Sequence, residues 1–333
     1  MVSEPPPVWV DDQWSVAWGA AMRYHDILGL IGNTPLVGVH QLSPNPNVKI
    51  WAKLEGQNPG GSSKDRIALK MVELAERDGA LRPGATILEP SSGNTGIGLA
   101  LVAKLRGYKL RVIMPENVSP ERRQLLEIFG AEITASPGEE GSNGAIRMAE
   151  KIHADEPERY VFLFQYGNPA NPLAHYDNTG PEILRDCPEI DAFVAGLGTS
   201  GTLMGVGKYL KEHKPDVKIV AVEPPAGELV QGLRNLEDGF VPPIFDPALL
   251  DRKLIVRPRD SIEGTRRLLD ECGVFAGVSS GAAVVGAIKT AQQMDAGTIV
   301  TLLPDGGWKY LSSGAWTDPI DEVVDRASRI NYW

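Results

Sequence analysis

Short apolar runs alternate with longer helical patterns along almost the whole chain, and this alternation restricts the fold more than any other feature of the sequence. Strand-like runs fall at 48–54, 86–89, 110–114, 132–134, 160–165, 192–195, 218–222 and 298–303. Helical patterns fill the gaps at 63–77, 95–105, 119–129, 145–154, 202–212, 263–272 and 281–293; the third has Ser119 placed as N-cap and Pro120 in its first turn. Repeated strand–helix alternation predicts a mostly parallel, doubly wound α/β architecture. A chain of 333 residues has room for two lobes, and with no internal repeat or Gly/Ser linker the lobes are expected to interleave rather than follow in tandem. Residues 1–21, with Pro5, Pro6 and Pro7 and then Asp11 and Asp12, carry no period and read as a disordered N-terminal extension.

Four glycine-rich turns stand at positions where open α/β sheets bind ligands. In Asn58-Pro59-Gly60-Gly61-Ser62-Ser63-Lys64 the small residues leave the backbone uncrowded ahead of an amphipathic helix, so Lys64 sits where a helix begins. The positive end of the helix dipole disfavours a cation there and lowers the lysine towards a nucleophilic amine, which suits a Schiff base. The bland alternative is a solvated surface lysine. Glu89-Pro90-Ser91-Ser92-Gly93-Asn94-Thr95-Gly96 gathers N–H groups and hydroxyls around an anion-sized space, or is a plain turn and cap. Gly196-Leu197-Gly198-Thr199-Ser200-Gly201-Thr202 fits the GxGxxG dinucleotide spacing with Glu223 further on, which would suit an NAD-dependent dehydrogenase; its three hydroxyls suit a terminal phosphate better. Phe275-Ala276-Gly277-Val278-Ser279-Ser280-Gly281 offers a neutral hydroxyl to a pyridine nitrogen, or simply a helix cap.

Composition removes other classes. A formal net charge of −10 argues against nucleic-acid or anionic-membrane partners. Two cysteines, Cys187 and Cys272, outside any CxxC pair, support neither a disulfide framework nor a thiolate metal site, and no metal is expected. With no apolar run of membrane length and no basic-then-apolar leader, the sequence reads as a cytoplasmic protein.

The segments GNTPL, NPGGSSKDR, EPSSGNTG, QYGNP, GLGTSGT, GVSSGA and DGGWKYL occur here in the order found in the fold-type-II pyridoxal-phosphate enzymes of the cysteine synthase and cystathionine β-synthase family. The chain resembles that family from about Tyr24 onward, and most closely its actinobacterial O-phosphoserine sulfhydrylases, on the stretch Pro224 to Gly239 with Leu233-Arg234-Asn235. The resemblance implies two interleaved domains of the tryptophan synthase β type: a smaller one over 53–158 and a larger one over 22–52 plus 159–333. It implies a homodimer holding pyridoxal 5′-phosphate. Lys64 would carry the cofactor and later move the substrate α-proton; Asn94 would bond the cofactor 3′-oxygen, Gly198, Thr199, Ser200, Gly201 and Thr202 its phosphate, and Ser279 its ring nitrogen. Ser91, Ser92, Asn94, Thr95 and Gln165 would cradle the carboxylate of an amino-acid substrate, and Arg234, on a loop read as mobile, would grip its phosphate. The reaction implied is β-replacement: loss of phosphate from O-phospho-L-serine to an α-aminoacrylate, then addition of sulfur to give L-cysteine.

Two departures matter. Pro59-Gly60-Gly61-Ser62 and Ser91-Ser92 stand where the cysteine synthases usually have Pro-Thr-Gly-Ser and Thr-Ser, and the GGS form resembles cystathionine β-synthases and diaminopropionate-forming relatives. O-acetylserine sulfhydrylase chemistry is the nearest alternative. The sulfur source, sulfide or a small thiocarboxylated carrier protein, stays open, as does a role for the tail Asn331-Tyr332-Trp333 as a cover over the cleft.

Overall fold

The computed structural model describes residues 23–91 and 93–329. The extension 1–21, Ser92 and the tail 331–333 therefore lie outside the described residues. The strands are β1 (Leu36–Gly38), β2 (Val48–Leu54), β3 (Thr86–Pro90), β4 (Lys109–Pro115), β5 (Glu132–Ser136), β6 (Tyr160–Phe162), β7 (Ala192–Gly196), β8 (Lys218–Glu223), β9 (Arg252–Ile255) and β10 (Gly297–Leu303). The helices are α1 (Lys64–Arg77), α2 (Asn94–Arg106), α3 (Pro120–Phe129), α4 (Gly141–Asp155), α5 (Ala170–Ala174), α6 (Gly180–Asp186), α7 (Gly201–His213), α8 (Pro258–Cys272), α9 (Val278–Ala291) and α10 (Ile320–Arg329).

Two sheets result. One has the order β1-β2-β10-β7-β8-β9, parallel except for the β1–β2 pair; the other, β5-β4-β3-β6, is parallel throughout. Each is covered on both faces, which is why its central strands read as near-continuous apolar runs. The larger sheet packs Ile50, Val222 and Ile299 with the α8 and α9 side (Leu268, Val284), and Phe193, Ile219 and Val300 with the α7 side (Leu203, Leu210). The smaller sheet buries Ile87 and Val112 among α1 and α2, and Leu88 and Ile113 against Ala145 and Ala149 of α4.

The differences from expectation have local causes. The run 160–165 stops as a strand at Phe162 because Phe164 takes a left-handed conformation, φ 50°, and turns the chain. α4 and α8 start earlier than the apolar period showed, through Gly141-Ser142-Asn143 and Pro258 respectively. α5, a π-helical turn over His175–Thr179, and α6 form one continuous segment that its prolines and asparagines had disguised. Ser119 stands at the N-cap position of α3, but its side chain makes no capping hydrogen bond.

Candidate functional site

The carboxyl ends of β2, β3, β7 and β10 face one cleft between the two sheets, the place where open parallel sheets leave room for a ligand. Lys64, Ser91, Asn94, Thr95, Gln165, Gly198, Thr199, Arg234 and Ser279, taken from six separate chain segments, all line it. A contiguous recess beside Lys64 is lined by Ser200, Gly201 and Thr202.

Lys64 opens α1, as its position in the sequence predicts, and among the described residues its Nζ reaches only Ser63 Oγ, at 3.4 Å. Burial lowers its ammonium and outweighs the opposing pull of Asp305, Glu55 and Asp65. Desolvation is the physical cause of that shift. α1 and α2 meet at Gly98, where a Cβ would lie 3.1 Å from the Lys64 carbonyl oxygen, so glycine permits the helix carrying Lys64 to sit this close.

In the turn after β7, Ser200 is held at φ 72°, and the first intrahelical bond of α7 runs from Met204 N to Ser200 O. The N–H groups of the first turn therefore point outward without helical partners. Ser200 Oγ is buried and has no hydrogen-bond partner among the described residues, an orphan that a bound anion would satisfy. Asn171 Nδ2 donates to Thr199 Oγ1 at 3.0 Å, and a Cβ at Gly201 would fall 1.8 Å from Asn171 Oδ1. Thr202 Oγ1 lies 3.2 Å from His175 Nε2, and burial pushes that imidazole down to about 3, so it is neutral. A phosphate-sized cradle results, with Lys64 the one basic residue lining the recess among the described residues. Glu223, the acid a dinucleotide reading would need, is bonded instead to Lys253 at 3.0 Å.

On the opposite wall Ser91 Oγ accepts from Gly93 N and Gly96 N, leaving its own proton to donate, and Thr95 Oγ1 donates to Gln165 Oε1 at 2.6 Å. Gln165 N in turn donates to Glu89 Oε1, whose carboxyl burial pushes up to about 8. Ser279, at the start of α9, is buried against the Gly232 backbone, and its hydroxyl makes no hydrogen bond to any described residue.

The Arg234 side chain is packed rather than solvated. Although 224–246 has no regular structure, Arg234 is only 6% exposed, its N–H donates to Leu197 O at 2.7 Å, and its guanidinium lies 4.7 Å from the Phe240 ring centroid and 5.5 Å from that of Tyr166. Despite the acids nearby in sequence, it forms no ion pair with any described residue; Asn143 Oδ1, at 3.4 Å, is a side-chain partner.

Other residues of the site escaped sequence reasoning. Arg122, Tyr166 and Tyr310 line the cleft, and Asp305 and Lys309 bracket the Asn94 side chain. The segment DGGWKYL was singled out without roles for its members, although its place just after a parallel strand is a usable signal.

Residues 27–305 match the family model described as pyridoxal-phosphate dependent enzyme. A cysteine synthase of Staphylococcus aureus is 46% identical over 298 residues, covering 86% of this chain and 96% of that protein. Cysteine synthase B of Salmonella typhimurium is 42% identical over 287 residues, covering 86% and 94%. The crystal structure of a cysteine synthase from Entamoeba histolytica superposes with a TM-score of 0.85 at 35% identity, over 95% of this chain and 99% of that one. No helix among the described residues is long and apolar enough to cross a membrane.

Proposed function

The chain belongs to the pyridoxal-phosphate-dependent enzymes of the cysteine synthase type, and from that premise we propose that it forms L-cysteine from O-phospho-L-serine by β-replacement. The observation that carries the choice of substrate is Arg234, buried in the same cleft as Lys64 and free of any carboxylate partner among the described residues. The residues present fit the cofactor: the orphaned Ser200 hydroxyl and the open first turn of α7 suit its phosphate, and the unengaged Ser279 hydroxyl suits a ring nitrogen. Bound there, the cofactor supplies an electron sink for negative charge at the substrate α-carbon.

The chain's own groups do the rest. Lys64 Nζ, whose ammonium burial disfavours, anchors the cofactor and then takes the α-proton. Ser91 offers the substrate carboxylate a hydroxyl proton, its oxygen fixed by Gly93 N and Gly96 N, and Gln165 offers an amide N–H, its oxygen fixed by the Thr95 hydroxyl. Arg234 faces the leaving phosphate; contact with the Phe240 and Tyr166 rings restrains its guanidinium, which can grip a dianion bidentately. O-acetylserine offers no such dianion.

The test is the ratio of kcat/KM for O-phosphoserine to that for O-acetylserine in Arg234→Ala. Losing a hydrogen bond to a charged group costs about 1.5–3 kcal/mol, so the ratio should fall roughly 10- to 150-fold. Because Arg234 is packed between two rings, both substrates will also suffer a common loss from the loosened loop; only the ratio reads the phosphate. An unchanged ratio would mean that Arg234 shapes the loop without reading the phosphate, and would favour acetylserine as the substrate.

A further inference from the structure

The Asn94 amide is held at both ends. Lys309 Nζ donates to Asn94 Oδ1 at 2.7 Å, and Asn94 Nδ2 donates to Asp305 Oδ2 at 2.7 Å. A lysine ammonium can only donate, so the oxygen of the amide must face Lys309 and its nitrogen must face the aspartate. Asp305 Oδ2 is fixed in turn by the Tyr310 hydroxyl at 2.6 Å. One Nδ2 hydrogen remains uncommitted, on a residue that lines the cleft.

Lys309 is fully buried, with its second bond to Gly60 O at 2.8 Å. The same segment is tied to the loop before Lys64: Ser63 N donates to Pro304 O, Gly306 N donates to Gly61 O, and Ser62 pairs with Asp305 as an isolated bridge. A buried ammonium is costly to keep unless its charge is used or well paired, yet no carboxylate lies within ion-pair distance of this one among the described residues; Asp305 and Asp65 act on it only from further off.

We propose that Lys309 and Asp305 are positioning residues for the cofactor: together they lock the Asn94 amide in one orientation, and Lys309, on its oxygen, strengthens its free N–H as a donor to the cofactor's 3′-oxygen. A cation on the amide oxygen draws electron density from the nitrogen, and hydrogen bonds in such a chain strengthen one another. This rests on reading Asn94 as a cofactor contact.

The experiment is a double-mutant cycle on the full chain with three readouts: the dissociation constant for pyridoxal phosphate after resolution and titration, the visible absorbance maximum of the holoenzyme, and the melting temperature. Lys309→Met should weaken pyridoxal phosphate roughly tenfold or more, the loss of one charge-assisted bond, and should move the absorbance maximum. Asn94→Ala should do the same, and the double variant should be no worse than Asn94→Ala alone. Lys309→Gln, which keeps a neutral N–H donor, should recover part of the affinity and runs the same cycle if the methionine variant does not fold. A lower melting temperature with affinity and spectrum unchanged would reduce Lys309 to a packing role, and losses that multiply in the double variant would show it acting elsewhere; either overturns the proposal. An Asn94→Ala protein with parental affinity and spectrum would instead overturn the reading of Asn94, and this proposal with it.

Discussion

Replacing Arg66 with Leu should destabilise the protein by about 3–5 kcal/mol, the range for removing one partner from a buried ion pair. Arg66 makes four bonds of 2.7–2.8 Å to carboxylates, two to Glu55 and two to Glu182, and a fifth to Thr34 Oγ1. Lys53 Nζ adds a bridge to Glu182 at 2.8 Å and a longer one to the less buried Asp186 at 3.8 Å, so Arg66, Lys53, Glu55 and Glu182 form the buried centre of a charge cluster. Burial would raise both acids, but Arg66 outweighs it, and with Lys53 holds Glu182 down to about 2. Without the arginine Glu182 keeps Lys53, whereas Glu55, with no exposure, keeps only the neutral donors Thr34 and Asn58. The cost should therefore sit mainly on Glu55, and Glu55→Gln in the Arg66→Leu background should recover about half of it or more. Urea unfolding followed by both circular dichroism and tryptophan fluorescence reads this directly, provided the two transitions coincide. A loss below about 1 kcal/mol, or single-variant losses that simply add, would refute the account of a coupled charge cluster.

Lys64→Ala should abolish β-replacement and the yellow colour of the holoenzyme, with the circular dichroism spectrum retained; turnover of O-phosphoserine at the parent rate would remove Lys64 from the chemistry. Glu89, raised to about 8 by burial, stays protonated in the fold while the unfolded chain ionises it from its ordinary range upward. The folded state then binds more protons, so stability falls as pH rises from about 4.5 to about 8, by at most ~1.4 kcal/mol per pH unit from this group. Glu89→Gln, which keeps the acceptor for Gln165 N, should flatten that part of the stability–pH curve, and an unchanged slope would place the titration elsewhere.

What was legible in the sequence was local. The turns before Lys64, Asn94, Gly201 and Ser279 declare themselves because small residues, hydroxyls and an apolar helix follow a strand within a few positions. The sheet pairing was legible only as a class: β9, a short edge strand begun by Arg252 and Lys253, carries charges where an apolar period was sought, as edge strands commonly do. The clamp on Asn94 was illegible for a different reason. Lys309 lies 215 positions from Asn94 and 249 from Gly60, and nothing near Lys309 in the chain signals a buried amide. Arg66 and Glu182, 116 positions apart, are the same case. The burial of Arg234 could not be read from its acidic neighbours, because its packing comes from Phe240 together with Tyr166, the latter on a segment far from it in the chain.

The strand order of the larger sheet also bears on the sequence of events during synthesis. β10, last of the ten strands along the chain, lies between β2 and β7 near the middle of that sheet, whereas the four strands of the smaller sheet are consecutive. On a ribosome the smaller sheet has all its strands once Phe162 has emerged, while β2, already made, waits for its parallel neighbour until residues 297–303 appear. The cleft is thus assembled from its far wall first. The nascent chain must keep an apolar strand edge unpaired for most of its translation, which makes this edge the place where a stalled or truncated product would aggregate.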